Sequence, residues 1–134
     1  MNNFWKNKNV LITGVSGFVG GNLVKKILAS DANVFGIIRN ENNFSYIFLE
    51  GLHKKIRLIK GDLMDHNLLL DVITEQQIDI IFHLAAQVEV GVGLVNPFLT
   101  FETNVRGTYN LMEACRLAKQ SGQNIESIVV ASSD

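Results

Sequence analysis

The sequence predicts an α/β fold, a doubly wound parallel sheet of five strands with helices on both faces. Two observations carry that expectation. Short apolar, β-branched runs alternate with amphipathic stretches along the whole chain, and a glycine-rich turn joins the first such run to the first amphipathic stretch. Composition permits it: 134 residues suit one core, and 47% hydrophobic against 19% charged residues can fill it.

Val10–Thr13 is the first run, ending at Gly14, and Phe18, Val19, Leu23, Val24, Ile27 and Leu28 then fall at helical spacing. Val34–Ile38 and Ile56–Ile59 read as the second and third strands, each continuous enough in apolar character to be buried on both sides. A short helix is expected near Tyr46–Glu50, and a longer one over Asn67–Gln76. Ile78–Leu84 is the fourth strand. Val88–Asn96, with Gly91 and Gly93, reads as a loop. Pro97, the single proline, suits the first turn of a long helix whose surest part is Asn104–Lys119, with Gly122 near its end. Ile125–Ala131 supplies the fifth strand, three residues before Asp134.

Several classes are excluded or disfavoured. A formal charge of −1 without a basic run gives no nucleic-acid surface, and no window approaches a membrane span. One cysteine, Cys115, cannot pair internally and reads as a small buried helix residue. With no apolar leader at the start, the expectation is a cytoplasmic protein. The three histidines are not at ligand spacing: His83 reads as a hydrogen-bonded strand end, His53 and His66 as surface residues, and no metal site is expected.

The chemistry lies in Thr13-Gly14-Val15-Ser16-Gly17-Phe18-Val19-Gly20. Between a strand and a helix, one glycine permits a tight turn, one lets the backbone approach a pyrophosphate, and one lets the helix pack on its strand. The helix amides around Phe18 and Val19, with the dipole behind them, suit phosphate. This is the turn of a Rossmann-type dinucleotide-binding unit, with strand order 3-2-1-4-5 expected. The second strand lacks the acid usual at its end in NAD-binding enzymes: Ile38 stands there, and Arg39 follows, able to meet a 2′-phosphate with a charge-assisted fork.

The spacing Gly14, Gly17, Gly20 resembles that of the extended short-chain dehydrogenase/reductase family, whose members mostly act on nucleotide sugars. Further segments match in order. Gly61-Asp62-Leu63 resembles the turn whose carboxylate and following amide meet adenine. His83-Leu84-Ala85-Ala86-Gln87 resembles the strand end that passes beside the cofactor. Thr103-Asn104-Val105-Arg106-Gly107 resembles a helix entry, where Asn104 either lies near the nicotinamide or satisfies backbone groups, and Gly107 permits close approach. Val129-Val130-Ala131-Ser132-Ser133-Asp134 resembles the catalytic strand end. There the resemblance gives Ser133 the substrate hydroxyl and Asp134 the protonation of the leaving hydroxyl at C6, the pattern of 4,6-dehydratases of the CDP-glucose or GDP-mannose type.

The resemblance therefore implies nucleotide-sugar 4,6-dehydration, in which hydride leaves C4 for the cofactor, water is lost across C5 and C6, and hydride returns to C6. The cofactor is NAD(P), with Arg39 favouring NADP, and the assembly is a homodimer or higher oligomer. A 4-epimerase or reductase on the same scaffold, or a non-catalytic dinucleotide-binding fragment, are the alternatives. Two departures matter. Val88-Glu89-Val90 lacks the family's Ser or Thr, and the family's Tyr-x-x-x-Lys pair is missing, since neither Tyr46 nor Tyr109 has lysine four residues on. Residues 1–134 are accordingly expected to be one dinucleotide-binding domain, lacking the substrate-binding part of a longer enzyme.

Overall fold

The computed structural model of the chain describes residues 3–133. Five parallel strands, β1 (Asn9–Thr13), β2 (Asn33–Ile38), β3 (Arg57–Lys60), β4 (Ile80–His83) and β5 (Ser127–Val130), form one sheet in the order β3-β2-β1-β4-β5. The direction of winding reverses between the neighbours β1 and β4, which opens a crevice at the carboxyl ends of the strands.

The period-two alternation of β1 divides the core. Val10 and Ile12 face α1 (Phe18–Leu28) and α2 (Tyr46–Leu49), among Val24, Ile27 and Ile47. Leu11 faces the opposite way, with Ile37 and Ile81, toward α3 (His66–Glu75) and the later helix α6 (Gly107–Gln120). By the same alternation Thr13 and His83, register partners at the strand ends, lie on the α6 side. Each fully buried Leu, Ile or Val of these layers contributes about 1.5–3 kcal/mol, and β1, in the centre, supplies three that are wholly inaccessible. Asp65 starts α3 by accepting the Leu68 amide at 3.0 Å. Cys115 is buried on α6, and burial pushes its thiol up to about 11.

Three readings need correction and a fourth gains a detail. Val88–Asn96 is not simply a loop: Val90–Val95 form a short helix, α4, although two glycines weaken helical propensity by about 1 kcal/mol each. Gly93 comes near Thr100 of α5 (Pro97–Phe101), while α4 itself buries none of its residues. The helix opened by Pro97 does run to Gln120, but through a wide π-type stretch at Glu102–Arg106, in which the Gly107 amide reaches back to the Glu102 carbonyl. β3 is an edge strand and only half-buried, so its apolar run does not reflect burial on two sides. His53 and His66 are half-buried rather than on the surface; His53 stacks on Phe48 with centroids 4.4 Å apart, because the helical turns after α2 fold it back.

Candidate dinucleotide site

A cavity of about 420 Å³ opens at the carboxyl ends of β1, β2 and β3, within the ordinary range for a ligand pocket. Its floor is the turn from β1 to α1. Gly14 has φ of +72°, and a Cβ there would stand 2.7 Å from backbone atoms of Leu84 and Ala85. Gly20 is tighter still, since a Cβ would come within 2.1 Å of the Gly14 carbonyl oxygen. Gly17 differs: its φ is −76°, and an added Cβ would meet only the Gly14 oxygen, at 3.3 Å. One glycine thus serves the turn, one the packing of α1, and one leaves space on the cavity side.

Those conditions favour an anion. Gly17 caps α1 without any side-chain hydrogen bond, and the first turn of α1 has no acidic residue to compete for its amides. Phe18 and Val19 are exposed beside the cavity, and Ser16 lines it with them. Arg39 and Asp62 stand on the opposite rim, brought together because the Gly61 amide donates to the Ile38 carbonyl at 2.9 Å. Among the described residues Arg39 has no ion-pair partner within 4 Å. One Asp62 oxygen accepts the Met64 amide at 3.0 Å, which fixes the carboxylate at the mouth, and Leu63 lines the wall next to it. Ala85, Ala86 and Leu84 close the third side.

A second cavity of about 510 Å³ shares that third side. It is lined by Gln87, Asn104, Thr108 and His83, and by Ala131, Ser132 and Ser133 at the end of β5. The Ala131 amide donates to the His83 carbonyl at 3.1 Å, so the exit of β5 is pinned to the exit of β4 and carries Ser133 to this wall. Asn104 acts on the backbone: its side chain accepts the Gln87 amide at 2.7 Å and donates to the Gln87 carbonyl at 3.0 Å. Of the two roles open to Asn104, this geometry favours support of the Leu84–Gln87 segment. Gly107 gives close approach to Leu63 and Met64 rather than to another helix. Asp134 lies outside the described residues. The sequence reading missed Thr13 and Thr108 as partners of His83; their hydroxyls bracket its ring at 2.7 and 2.9 Å, and burial holds the imidazole below its ordinary value. Strand alternation was the one signal that pointed there.

A family model described as GDP-mannose 4,6 dehydratase matches residues 11–134. The chain belongs to the GDP-mannose 4,6-dehydratase family. Its relatives in this nucleotide-sugar dehydratase and epimerase family include CDP-glucose 4,6-dehydratase of Salmonella typhimurium, 35% identical over 133 residues, 98% of this chain and 36% of that protein. UDP-glucose 4-epimerase of Mycolicibacterium smegmatis is 36% identical over 113 residues, 81% of this chain and 34% of the epimerase. Among solved structures, MoeE5 in complex with UDP-glucose and NAD is similar with a TM-score of 0.73 and 34% identity, over 94% of this chain and 36% of MoeE5. The chain thus spans little more than a third of the length of these family members. Among the described residues no helix is long and apolar enough to cross a membrane, and no cluster of His, Cys, Asp or Glu could hold a metal ion.

Proposed function

We propose that this chain is the cofactor-binding portion of a cytoplasmic nucleotide-sugar 4,6-dehydratase that uses NADP. The observation that carries the reading is the shared wall: Leu84–Ala86 bound both the glycine-turn cavity and the cavity reached by Ser133. A dinucleotide laid across that wall has its phosphates at one side and its reactive ring beside the serine.

The residues fit such a ligand. The space beside Gly17 and the amides of Phe18 and Val19 receive the pyrophosphate, Asp62 and Leu63 the adenine, and the Arg39 guanidinium the 2′-phosphate that distinguishes NADP. When bound, the nicotinamide supplies a reversible hydride acceptor. Ser133 hydrogen-bonds the reacting hydroxyl, and Asp134, next in sequence, donates a proton to the hydroxyl leaving C6, because hydroxide is expelled only with a general acid beside it. The identity to CDP-glucose 4,6-dehydratase supports dehydration, while that to UDP-glucose 4-epimerase supports epimerisation as the second reading. NAD in the complex of MoeE5 likewise supports NAD as the second cofactor.

Residues 1–134 contain no Tyr-x-x-x-Lys pair. By themselves they are proposed to bind dinucleotide without turnover, since they span only about a third of the length of their relatives. The test uses an enzyme of the relatives' length carrying this chain, with nucleoside-diphosphate sugars in single-turnover experiments. Asp134→Asn is expected to abolish the 4-keto-6-deoxy product while hydride transfer from C4 persists in part. Equal loss of both steps, or no effect on either, would overturn the role of Asp134 and favour the epimerase.

A further inference from the structure

A continuous set of hydrogen bonds runs along the seam between the two cavities. It begins at Thr13 and His83, cross-strand partners that are 1% and 3% exposed. Thr13 Oγ1 lies 3.2 Å from the amides of both Leu84 and Ala85, and 2.7 Å from His83 Nδ1. His83 Nε2 lies 2.9 Å from Thr108 Oγ1, and that hydroxyl is 2.7 Å from the Asn104 carbonyl. The Asn104 side chain then closes on Gln87.

Following each hydrogen leaves a single arrangement. A carbonyl only accepts, so the one hydroxyl hydrogen of Thr108 goes to Asn104, and His83 Nε2 must carry a proton to donate to Thr108. With Nε2 protonated, the neutral ring has a bare Nδ1, which accepts the Thr13 hydroxyl hydrogen; Thr13 Oγ1 in turn accepts the Ala85 amide and shares the Leu84 amide with the Thr13 carbonyl, each at 3.2 Å. A second ring proton would leave the Thr13 hydroxyl hydrogen without an acceptor in a buried place, and burial itself disfavours the charged ring. The ring meets Thr13 from β1 and Thr108 from α6, both neutral, and no charged group contributes to its lowered basicity.

These bonds have a mechanical consequence. Thr13 leads directly into Gly14, whose missing Cβ lets the turn touch Leu84 and Ala85. One end of the network therefore holds the phosphate turn against the exit of β4, and the other holds Gln87 from Asn104 in the π-type stretch that precedes α6. We propose that His83 is a positioning residue, fixed as the neutral Nε2–H tautomer, that keeps the Leu84–Gln87 wall in one place between the two cavities. The tautomer and the wall stand on geometry alone; the consequence for ligand affinity rests on the dinucleotide reading above.

Nitrogen-15 spectra of the histidine rings near neutral pH test the first part. A protonated Nε2 and a bare Nδ1 on His83 are expected, and the opposite tautomer, a rapidly exchanging mixture or a charged ring would overturn the assignment. Thr108→Val keeps side-chain shape and removes the acceptor. It should move the amide resonances of Leu84, Ala85 and Gln87, to none of which Thr108 is hydrogen-bonded, whereas Leu111→Ala in the core beneath α6 should leave them in place. Thr108→Val and His83→Phe should each weaken dinucleotide affinity by about fivefold, the equivalent of one lost hydrogen bond, and Leu111→Ala by less than about twofold. Equal effects from all three, on resonances and on affinity, would reduce His83 to an ordinary core residue and refute the proposal. If His83→Phe does not fold, Thr108→Val and the ring spectrum decide. Should the unmodified chain bind neither NADP nor NAD, the dinucleotide reading fails, and the spectra still judge the network.

Discussion

Gly17→Ala separates what a residue does for the ligand from what it does for the fold. The backbone at Gly17, φ −76° and ψ 172°, is open to alanine, and the new methyl would meet protein only at the Gly14 oxygen, 3.3 Å away. Alanine is a poorer helix cap than glycine, but it also restricts the unfolded chain, a gain of about 0.4–1 kcal/mol. The two roughly offset, so the loss in stability should stay below about 1 kcal/mol, a few degrees in Tm for a domain of this size. The methyl projects where a phosphate would approach the amides of Phe18 and Val19, and pushing that anion away from even one charge-assisted bond costs about 1.5–3 kcal/mol. Affinity should therefore fall by roughly tenfold to a hundredfold. Gly20→Ala makes the contrast, because its Cβ would press to 2.1 Å from a backbone oxygen that cannot rotate away. That overpacking should cost about 3 kcal/mol and lower Tm by roughly 10 °C. Calorimetric titration with NADP and NAD, beside thermal denaturation followed by circular dichroism, measures both quantities. Unchanged affinity in Gly17→Ala, with the chain intact, would refute the placement of the pyrophosphate.

Two further outcomes follow from single side chains. Arg39→Ala should reduce NADP affinity by roughly tenfold and leave NAD affinity nearly unchanged, as expected for loss of a charge-assisted fork; an unchanged NADP to NAD ratio would remove Arg39 from the site. Stability should also depend on His83: its folded value lies below 6.5, so between the two values the unfolded chain binds more protons, and stability present above pH 6.5 is lost as pH falls through the folded value. Urea midpoints across that window should decline on acidification less steeply in His83→Phe than in the unmodified chain, and equal slopes would count against it.

The strand order, both helical layers and the glycine turn were legible because each is written locally, in apolar periodicity and in residues adjacent along the chain. Boundaries shifted by a residue or two, as at α3, where Asp65 caps the helix one turn position earlier than the apolar pattern begins. α4 was hidden because Gly91 and Gly93 argue locally for a loop, and because it buries none of its residues, so no apolar stripe marks it as a helix. Burial of β3 was overread, since an apolar run does not state whether its strand lies at an edge. At the site, Arg39, Asp62 and the glycines were visible as motifs, and the structure gathers them around one cavity. The partnership of Thr13, His83 and Thr108 was not, because it joins positions 70 and 25 residues apart and depends on which face each strand end presents.

A nicotinamide dinucleotide bound as proposed lies with its pyrophosphate on the first turn of α1. Titration of the nitrogen-15-labelled chain with NADP, following backbone amides, tests it most directly. Gly17, Phe18 and Val19 should shift most, with smaller changes at Asp62, Leu63 and Leu84–Ala86. Saturable shifts confined to the opposite ends of the strands, or none at millimolar ligand, would contradict it.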